Sequence, residues 1–292
     1  MHIHFEQVTH VYGEKTPFER TAINDVDVTI QSGSYVSIIG HTGSGKSTLI
    51  QHINGLLKPS KGKIKLNSME INKSTKEKEL YQVRKNIGFL FQQPEHQLFE
   101  ETVEKELLYA VINYGLSLED AKQAIPQVLD LLQMPLEVLE KSPYELSGGQ
   151  KKRIALACLL LLKPTVYVLD EPLAGLDPDG QKLFLNVFNQ LHKDGSTIIM
   201  ITHNIEQALE CAKDVLVMKN GAVHFFGSKE SLIEQPNLLL EANLEIPYFM
   251  KLREKFCEVL HKEIPIFYSL DDAIVWYSNA YEQAQKKEKS NA

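Results

Sequence analysis

The sequence predicts an α/β protein in which helices cover both faces of a parallel β-sheet. Apolar runs alternate with stretches of helical periodicity along much of the chain, a pattern typical of a parallel sheet. One run, Tyr35–Ile39, is rich in β-branched residues, as a buried central strand should be. A glycine cluster follows it at once and leads into a helical stretch over 47–57. These three observations define the predicted fold class.

The other elements follow from the same patterns. The first thirty residues alternate short apolar stretches with turns, which predicts a small antiparallel sheet. Its strands pass through Ile3, Phe5 and Val8 and over 22–30. Further strands are predicted over 64–66, 87–91, 165–169, 197–202, 215–218 and 222–226. Helices are predicted over 102–114, 118–132, 150–162 and 180–193.

A change of pattern near Gly227 predicts a boundary in the chain. The two parts are residues 1–228 and a helical extension over residues 229–292. We expect the polar tail, residues 283–292, to fray. The extension is predicted to contain an apolar helical stretch over 232–246, with Pro236 and Pro247 around it, and helices over 251–260 and 271–281.

Composition excludes several classes of protein. Lys and Arg number 31 against 38 Asp and Glu, whereas proteins that coat nucleic acid usually have a basic excess. A membrane-spanning helix needs about 20 apolar residues. The longest apolar run, 154–162, is much shorter and is flanked by Arg153 and Lys163. The N-terminus has no secretory signal pattern and the three cysteines form no CxxC pair, so we expect a cytosolic protein.

A phosphate-binding motif occupies the glycine cluster. Residues 40–47 match G-x-x-x-x-G-K-[ST] between a strand and a helix, where the mechanism requires the motif. Glycines allow backbone N–H groups to face the phosphates, and the helix N-terminus adds its dipole. Lys46 is expected to reach the β- and γ-phosphates, and the Ser47 hydroxyl to bind Mg²⁺. The candidate residues for binding the nucleotide are Gly40, His41, Thr42, Gly43, Ser44, Gly45, Lys46, Ser47 and Thr48.

Two acidic residues, Asp170 and Glu171, follow the apolar run 165–169. A site for Mg²⁺ needs a carboxylate, or a water held by one, because Mg²⁺ prefers oxygen ligands. Adjacent residues of a strand point in opposite directions. We therefore predict that Asp170 orients a metal-bound water, whereas Glu171 addresses the water that attacks the phosphate.

A second anion site is predicted at the start of the helix near residue 150. Ser147, Gly148, Gly149 and Gln150 expose backbone donors at a helix N-terminus. The loop at 40–47 already accounts for the phosphates of one nucleotide. Two such helix ends in one chain are explained most simply by a head-to-tail pair of chains, in which each chain completes the nucleotide site of the other.

Taken in this order, the motifs resemble the ATPase subunits of ABC (ATP-binding cassette) transporters over residues 1 to about 228. LSGGQ at 146–150 resembles the family signature, and residues 40–47 and Asp170 resemble its Walker A and B elements. The resemblance implies a P-loop NTPase cassette of the ABC type. Such a cassette has a small antiparallel β subdomain and a helical signature subdomain, and here it would be followed by a short C-terminal helical extension.

The resemblance also implies roles for single residues. Gln92 stands where the family has a glutamine that contacts Mg²⁺ and senses the membrane partner. Asp177 belongs to a segment similar to the loop that bridges the two subunits, and His203 resembles the switch histidine that contacts the γ-phosphate. Tyr12 falls where the family has an aromatic residue that stacks on adenine, since a ring face suits a base face. Phe18 competes for that role, and packing in the core is the alternative for both rings.

One segment indicates a branch of the family. Residues 91–103, FQQPEHQLFEETV, resemble the energy-coupling factor (ECF) group of importer ATPases, in which Q-x-P-E-x-Q-L-F-x-x-T-V recurs. The stretches 12–19 and 174–178 are similar to that group as well. Leu173 and Gln93 depart from its pattern, but neither departure removes a catalytic group.

The ECF resemblance implies an assembly at the cytoplasmic face of the cell membrane, to which this chain is peripheral. The partners would be a second ABC ATPase subunit (a copy or a paralogue), a transmembrane coupling protein, and a small membrane protein that captures a vitamin or a metal ion. The extension over 229–292 is expected to contact the second ATPase. The coupling protein is expected to dock near Gln92, where Pro94, Leu98 and Phe99 offer apolar contacts. Packing within the helical subdomain is the alternative for those three residues.

The implied reaction is hydrolysis of ATP by in-line attack of water on the γ-phosphorus. Lys46 and His203, with Mg²⁺ and the signature loop of the second subunit, would stabilise the developing charge, and Glu171 would position or activate the water. Other functions stay open. They are an ATPase subunit of a conventional ABC importer or exporter, a soluble ABC ATPase acting on nucleic acid or ribosomes, and a non-hydrolysing regulatory subunit.

Overall fold

Two β-sheets and the helices around them are seen in the computed structural model, which describes residues 1–261 and 263–290, with side chains to residue 280. The described strands are β1 (Ile3–Tyr12), β2 (Arg20–Ile30), β3 (Tyr35–Ile39), β4 (Lys61–Leu66), β5 (Met69–Ile71), β6 (Ile87–Leu90), β7 (Val166–Asp170), β8 (Thr197–Ile201), β9 (Asp214–Lys219) and β10 (Ala222–Ser228). The described helices are α1 (Lys46–Gln51), α2 (Glu77–Asn86), α3 (Val103–Asn113), α4 (Leu118–Leu131), α5 (Gly148–Leu162), α6 (Pro178–Lys193), α7 (Ile205–Cys211), α8 (Lys229–Glu234), α9 (Asn237–Glu241), α10 (Tyr248–Leu260) and α11 (Leu270–Ser290).

The larger sheet confirms the predicted fold class. Its order is β10-β9-β3-β8-β7-β6, and β3 pairs in parallel with both β8 and β9. Every residue of β3, β7 and β8 is buried, because helices and the second sheet cover both faces of these strands. Parallel strands end at the same edge of a sheet. The loops that follow β3, β7 and β8 therefore meet at one edge, and these loops carry the phosphate-binding motif, Glu171 and His203.

The smaller sheet is antiparallel, as predicted, with the order β2-β1-β4-β5. Its inward side chains, among them Ile3 and Phe5, share a buried cluster with Val36 and Ile38 of the larger sheet. β1 continues beyond the predicted strand to Tyr12, which pairs with Arg20 of β2. This extra length carries both residues to the edge where the phosphate-binding motif lies.

Helices α3, α4 and α5 form a helical subdomain with its own share of the core. Thr102 and Ser117 cap the first turns of α3 and α4, because their hydroxyls accept bonds from backbone N–H groups. Leu107, Leu129 and Leu156, one from each helix, are fully buried in a common cluster. This packing holds the N-terminus of α5, with the signature loop, in a defined position.

The sequence predictions omitted β5, α2 and α7, and three of the differences from the structure have identifiable reasons. α2 was not predicted because its sequence is largely charged and only Leu80 and Val83 are buried. The helix predicted over 47–57 ends at Gln51, and Gly55 in the following turns has φ 69°, outside the helical range. The stretch over 232–246 splits into α8 and α9 because Pro236 lacks an N–H group and disfavours a helical conformation at the residue before it.

The extension that begins after β10 shares a core with the larger sheet. Phe249 of α10 and Leu232 of α8 are fully buried in one cluster with Ile39 and Val217 of the sheet. The division at residue 228 thus coincides with the end of β10 but not with a break in the packing, and it stays a proposal.

The last described helix, α11, extends to Ser290. Residues 291 and 292 of the tail that was predicted to fray lie outside the described residues. Among the described helices, none has the length and apolar character that a membrane crossing requires.

The shared core leads to a prediction about stability. Phe249→Ala is expected to lower the free energy of unfolding of the whole chain by about 3–5 kcal/mol, because it leaves a cavity in the cluster that joins the extension to the sheet. Val259→Ala, on the same helix at a side chain that is 66% exposed, is the matched control and should change it by less than about 0.5 kcal/mol. Denaturant unfolding measures both. A cassette transition unmoved by Phe249→Ala would show that the extension unfolds independently.

Candidate nucleotide-binding site

The candidate site is a cavity of ≈ 360 Å³ at the edge of the larger sheet where β3 and β7 end. It contains most of the residues that the motifs predict, drawn from distant parts of the chain. The predicted residues that line it are Tyr12, Thr42, Gly43, Gly45, Lys46, Ser47, Thr48, Gln92, Asp170 and Glu171. Arg20, Ala22 and Ile201 also line it, and sequence reasoning missed them. Arg20 reaches the cavity because it pairs with Tyr12, and this pairing is visible only in the structure, since the strand was predicted to begin two residues later.

The phosphate-binding loop follows a path that requires glycine. Gly45 has φ 103°, and a Cβ atom there would lie 2.7 Å from the carbonyl oxygen of Ala22. Gly45 is the N-cap of α1, and the N–H of Leu49 donates to its carbonyl oxygen over 2.8 Å. The N–H groups of the helix before Leu49 have no partner within it, as at any helix start, and the residues that carry them line the cavity. This end of the cavity therefore suits an anion.

Lys46 folds back across the loop. Its Nζ donates to the carbonyl oxygens of Gly40 at 2.7 Å and His41 at 3.1 Å. Burial lowers the pKa of Lys46, an effect opposed by the carboxylates of Glu171 and Asp170. An ammonium group carries three donors, so one remains for a phosphate oxygen.

Gly40, His41 and Ser44 form the back of the loop and do not line the cavity. The backbone there is fastened to the turn between β9 and β10, since the N–H of Gly221 donates to the carbonyl oxygen of Ser44 over 2.9 Å. Sequence reasoning missed Gly221. The Asn-Gly dipeptide at 220–221 marks a tight turn, but nothing local places that turn under the loop.

The two adjacent carboxylates have different surroundings. Asp170 ends β7 and is buried. Burial raises the pKa of Asp170, the nearby Glu171 carboxylate adds to the effect, and the neighbouring Ser47 hydroxyl and Lys46 ammonium oppose it. Glu171 has φ 50°, a left-handed conformation that costs free energy for a residue with a side chain. This turn directs the two carboxylates to different neighbours.

Glu171 joins the main cavity to a second one of ≈ 300 Å³, which His203 lines. The Oε2 atom of Glu171 lies 2.8 Å from Nδ1 of His203. The side chain of Glu171 is 13% exposed and that of His203 76%. His203 therefore reaches Glu171 at the open side of the site but does not line the main cavity.

The signature loop lies elsewhere in the chain. The Ser147 hydroxyl accepts from the N–H of Gln150 at 3.3 Å, and Gln150 Oε1 accepts from the N–H of Ser147 at 3.0 Å, so the two residues cap α5. A Cβ atom at Gly148 or Gly149 would meet nothing within 4 Å, which leaves this helix end open to an incoming group. Residues 147–150 and Asp177 do not line the cavity. Asp177 instead caps α6, accepting from the N–H of Gly180 at 3.2 Å.

The structure separates the two aromatic candidates for the base. Tyr12 lines the cavity, is 41% exposed, and its hydroxyl lies 3.3 Å from Oγ1 of Thr48. Phe18 is 87% exposed and does not line the cavity.

Three residues were expected to offer apolar contacts at the docking surface for the coupling protein. Pro94 and Leu98 are buried, which corrects that expectation, whereas Phe99 is exposed.

The oxygen atoms at the phosphate end fit Mg²⁺. The Ser47 hydroxyl, the Asp170 carboxylate and the Gln92 side-chain amide all line the cavity, and Mg²⁺ takes oxygen ligands. Within the described residues, no group of three or more His, Cys, Asp or Glu side chains forms a metal site. Such a sparse protein donor set is typical of Mg²⁺ that arrives with the phosphates of a substrate.

Known proteins share both this sequence and this architecture. The ABC transporter family profile matches residues 23–174. The energy-coupling factor transporter ATP-binding protein EcfA2 of Bacillus cereus is 47% identical over 266 residues, which cover 91% of each chain. This chain belongs to the ATP-binding proteins of energy-coupling factor transporters.

Solved structures of the wider ABC family agree with this assignment. The cbiO1 protein of Clostridium perfringens, part of the ABC transporter complex cbiONQ, has a TM-score of 0.70 and 32% identity, covering 86% of this chain and 98% of its own. A dimeric ATP-binding cassette in a post-hydrolysis state, bound to ADP and Pi, has a TM-score of 0.71 and 27% identity, covering 78% of this chain and 98% of its own. The predicted ECF grouping is thus confirmed at the level of the family.

Proposed function

We propose that this chain is the ATP-hydrolysing subunit of an ECF-type importer and powers uptake of a vitamin or a metal ion through membrane partners. One observation carries the proposal. Lys46, Ser47, Asp170 and Glu171 meet in one cavity, in a chain 47% identical to an ECF transporter ATP-binding protein. In this proposal the loop at 40–47 binds the phosphates of ATP, and Tyr12 stacks on its base.

Binding of the triphosphate depends on the loop and its lysine. The N–H groups at the start of α1 and the free donor of Lys46 hold the β- and γ-phosphates. Ser47, Asp170 and Gln92 would hold Mg²⁺, Asp170 by orienting a water bound to the metal, and the ion would neutralise charge on the phosphate oxygens. Asp170 suits this role because its carboxylate lies beside Ser47 and borders the cavity.

Glu171 acts on the attacking water. Its carboxylate borders the cavity and is held at 2.8 Å by Nδ1 of His203, so the imidazole fixes the direction in which the carboxylate accepts a proton. His203 also reaches the open side of the site, where Nε2 can donate to a γ-phosphate oxygen when both ring nitrogens carry a proton. Their separate positions suit separate roles: Glu171 orients the water and His203 positions Glu171 and the phosphate.

A second ATPase subunit completes the site. Residues 147–150 are exposed or half-buried in a single chain and lie outside the cavity, so they are free to face the nucleotide held by another chain. The dimeric ABC cassette with a TM-score of 0.71 supports this arrangement. In the proposed pair, ATP closes the interface and its hydrolysis reopens it. Asp177, at the start of α6, lies in the loop that bridges the subunits.

The membrane partners are a transmembrane coupling protein and a small substrate-capturing protein, and this chain is peripheral at the cytoplasmic face of the membrane. The coupling protein contacts the surface near Gln92, where Phe99 is 54% exposed. The extension, 229–292, contacts the second ATPase. Its α10 and α11 present exposed apolar side chains, including Val259, Ile274 and Val275.

Mass analysis of the detergent-solubilised native complex tests this assembly. The expected complex contains this chain, a second ATPase subunit (a copy or a paralogue), a coupling protein and a small integral protein. A complex with one large permease and no small integral protein would instead indicate a conventional ABC transporter. Recovery with ribosomes or nucleic acid and no membrane protein would overturn the transport role.

A further inference from the structure

Two buried histidines lie directly behind Tyr12. His10, two residues earlier on β1, is 8% exposed, and His52, just after α1, is fully buried. The His10 and Tyr12 rings form a T-shaped pair with a centroid distance of 4.6 Å and an interplanar angle of 73°. The His52 ring meets His10 in a similar way at 4.8 Å and 78°. None of the phosphate-binding motifs includes either histidine.

The hydrogen-bond partners determine which ring nitrogens carry protons. Nδ1 of His52 lies 2.7 Å from the carbonyl oxygen of Thr48, and a carbonyl only accepts, so this nitrogen donates. Nδ1 of His10 likewise donates to the carbonyl oxygen of Lys58 at 3.1 Å, and it lies 3.1 Å from Nε2 of His52, which accepts. Burial lowers the pKa of His52 to about 4 and also lowers the pKa of His10. His52 is thus neutral at neutral pH, as its accepting Nε2 requires, and the single Nδ1–H of His10 is shared between the two acceptors.

These contacts connect Tyr12 to the phosphate-binding helix by two routes, one through His10 and His52 and one through Thr48. The His10 ring packs against the ring of Tyr12, and Oγ1 of Thr48 lies 3.3 Å from the Tyr12 hydroxyl. Thr48 also accepts the His52 bond and lies two residues after Lys46 in α1. Tyr12 is therefore held at its ring and at its hydroxyl by groups anchored to the phosphate-binding helix. A side chain already held in its bound orientation loses less conformational entropy when a ligand binds.

We propose that His10, held in place by His52, is a positioning residue that orients the ring of Tyr12 to stack on the base of the bound nucleotide. The proposal rests on the proposed function, because it assumes that the cavity binds ATP. According to this proposal, His10 affects nucleotide binding only through the orientation of Tyr12. Replacing His10 should therefore weaken ligands that carry a base and spare ligands that carry only phosphates.

Calorimetric binding of ATP and of tripolyphosphate, which has no base, tests this in the full chain. His10→Ala is expected to raise the Kd for ATP by about 2- to 10-fold, the cost of one side chain that must be ordered on binding. Tyr12→Ala is expected to raise it by about 5- to 100-fold, through loss of stacking. The Kd for tripolyphosphate should be unchanged in both variants. In a Tyr12→Ala background, His10→Ala should have no further effect on ATP.

His10→Phe guards against a variant that fails to fold, because it keeps buried aromatic volume but cannot donate to Lys58 or His52. It should raise the Kd for ATP by no more than His10→Ala does, because a ring still contacts Tyr12 although the hydrogen bonds that hold that ring are lost. His2→Ala, at an exposed side chain near the start of the same strand, is the control and should leave both ligands unaffected.

Equal weakening of ATP and tripolyphosphate, an unchanged Kd for ATP, or a His10 effect that persists without Tyr12 would each overturn the positioning role. A Tyr12 effect without a His10 effect would overturn this inference alone. Unchanged ATP binding in Lys46→Gln would instead overturn the nucleotide site itself.

Discussion

Replacing Glu171 by glutamine is expected to lower the rate of ATP hydrolysis by about 10²- to 10⁴-fold, the contribution typical of a positioned general base. Glutamine keeps the shape of the side chain but cannot accept a proton from water. The N–H of Glu171 donates to the carbonyl oxygen of Ile201, and this backbone bond is unaffected by the change. ATP binding should therefore persist, and the two subunits should remain closed around it.

Phosphate release under saturating ATP measures the turnover of Glu171→Gln, and calorimetry measures its affinity for ATP. Size-exclusion chromatography with ATP and Mg²⁺ should show more of the closed pair than the parent protein does. Glu234→Gln removes an exposed carboxylate from the end of α8 and should behave like the parent. Hydrolysis at the parental rate in Glu171→Gln would show that another group activates the water.

Lys46→Gln is expected to weaken ATP binding by about 10- to 150-fold, since a hydrogen bond to a charged group contributes about 1.5–3 kcal/mol. The ammonium is half-buried beside Asp170 and Glu171, so its removal also leaves these two carboxylates without the cation that opposes their charge. ATP would then bring further negative charge into a cavity that has lost its main counter-charge. The affinity for ATP falls for both reasons.

Calorimetric titration with ATP and Mg²⁺ measures the effect of Lys46→Gln. Lys78→Gln, at an exposed position on α2, makes the same chemical change outside the cavity and should leave the Kd for ATP as it is. A cooperative unfolding transition in both variants shows that each is folded under the conditions of the titration. An unchanged Kd for ATP in Lys46→Gln would place the phosphates elsewhere.

The elements that could be predicted are those with a strong local pattern. β3, β7 and β8 are continuous apolar runs because both of their faces are buried, and this pattern survives in the sequence. The glycine-rich loop could be predicted because phosphate binding needs consecutive backbone groups. Helix α2, with two buried side chains, has no such pattern and was missed.

Other parts of the site depend on contacts between distant segments. His10 and His52 are 42 positions apart, and nothing near either residue indicates that they share a hydrogen bond. Gly221 is far from the phosphate-binding loop in sequence but supports it from the end of the neighbouring strand, because β9 pairs with β3. The burial of Pro94 and Leu98 was also undecidable from the sequence, since exposed and buried apolar residues look alike in a short segment.

The sequence by itself determined the class of fold, the family, and the residues proposed to carry the chemistry, because a phosphate-binding loop and a pair of carboxylates at a strand end are local arrangements of side chain and backbone. Tertiary structure alone decided between Tyr12 and Phe18, since β1 continues to the cavity and brings Tyr12 into it. It also decided that the signature loop lies outside the cavity of its own chain. These facts depend on where the subdomains pack against each other, and that packing is set by buried clusters whose members are scattered along the chain.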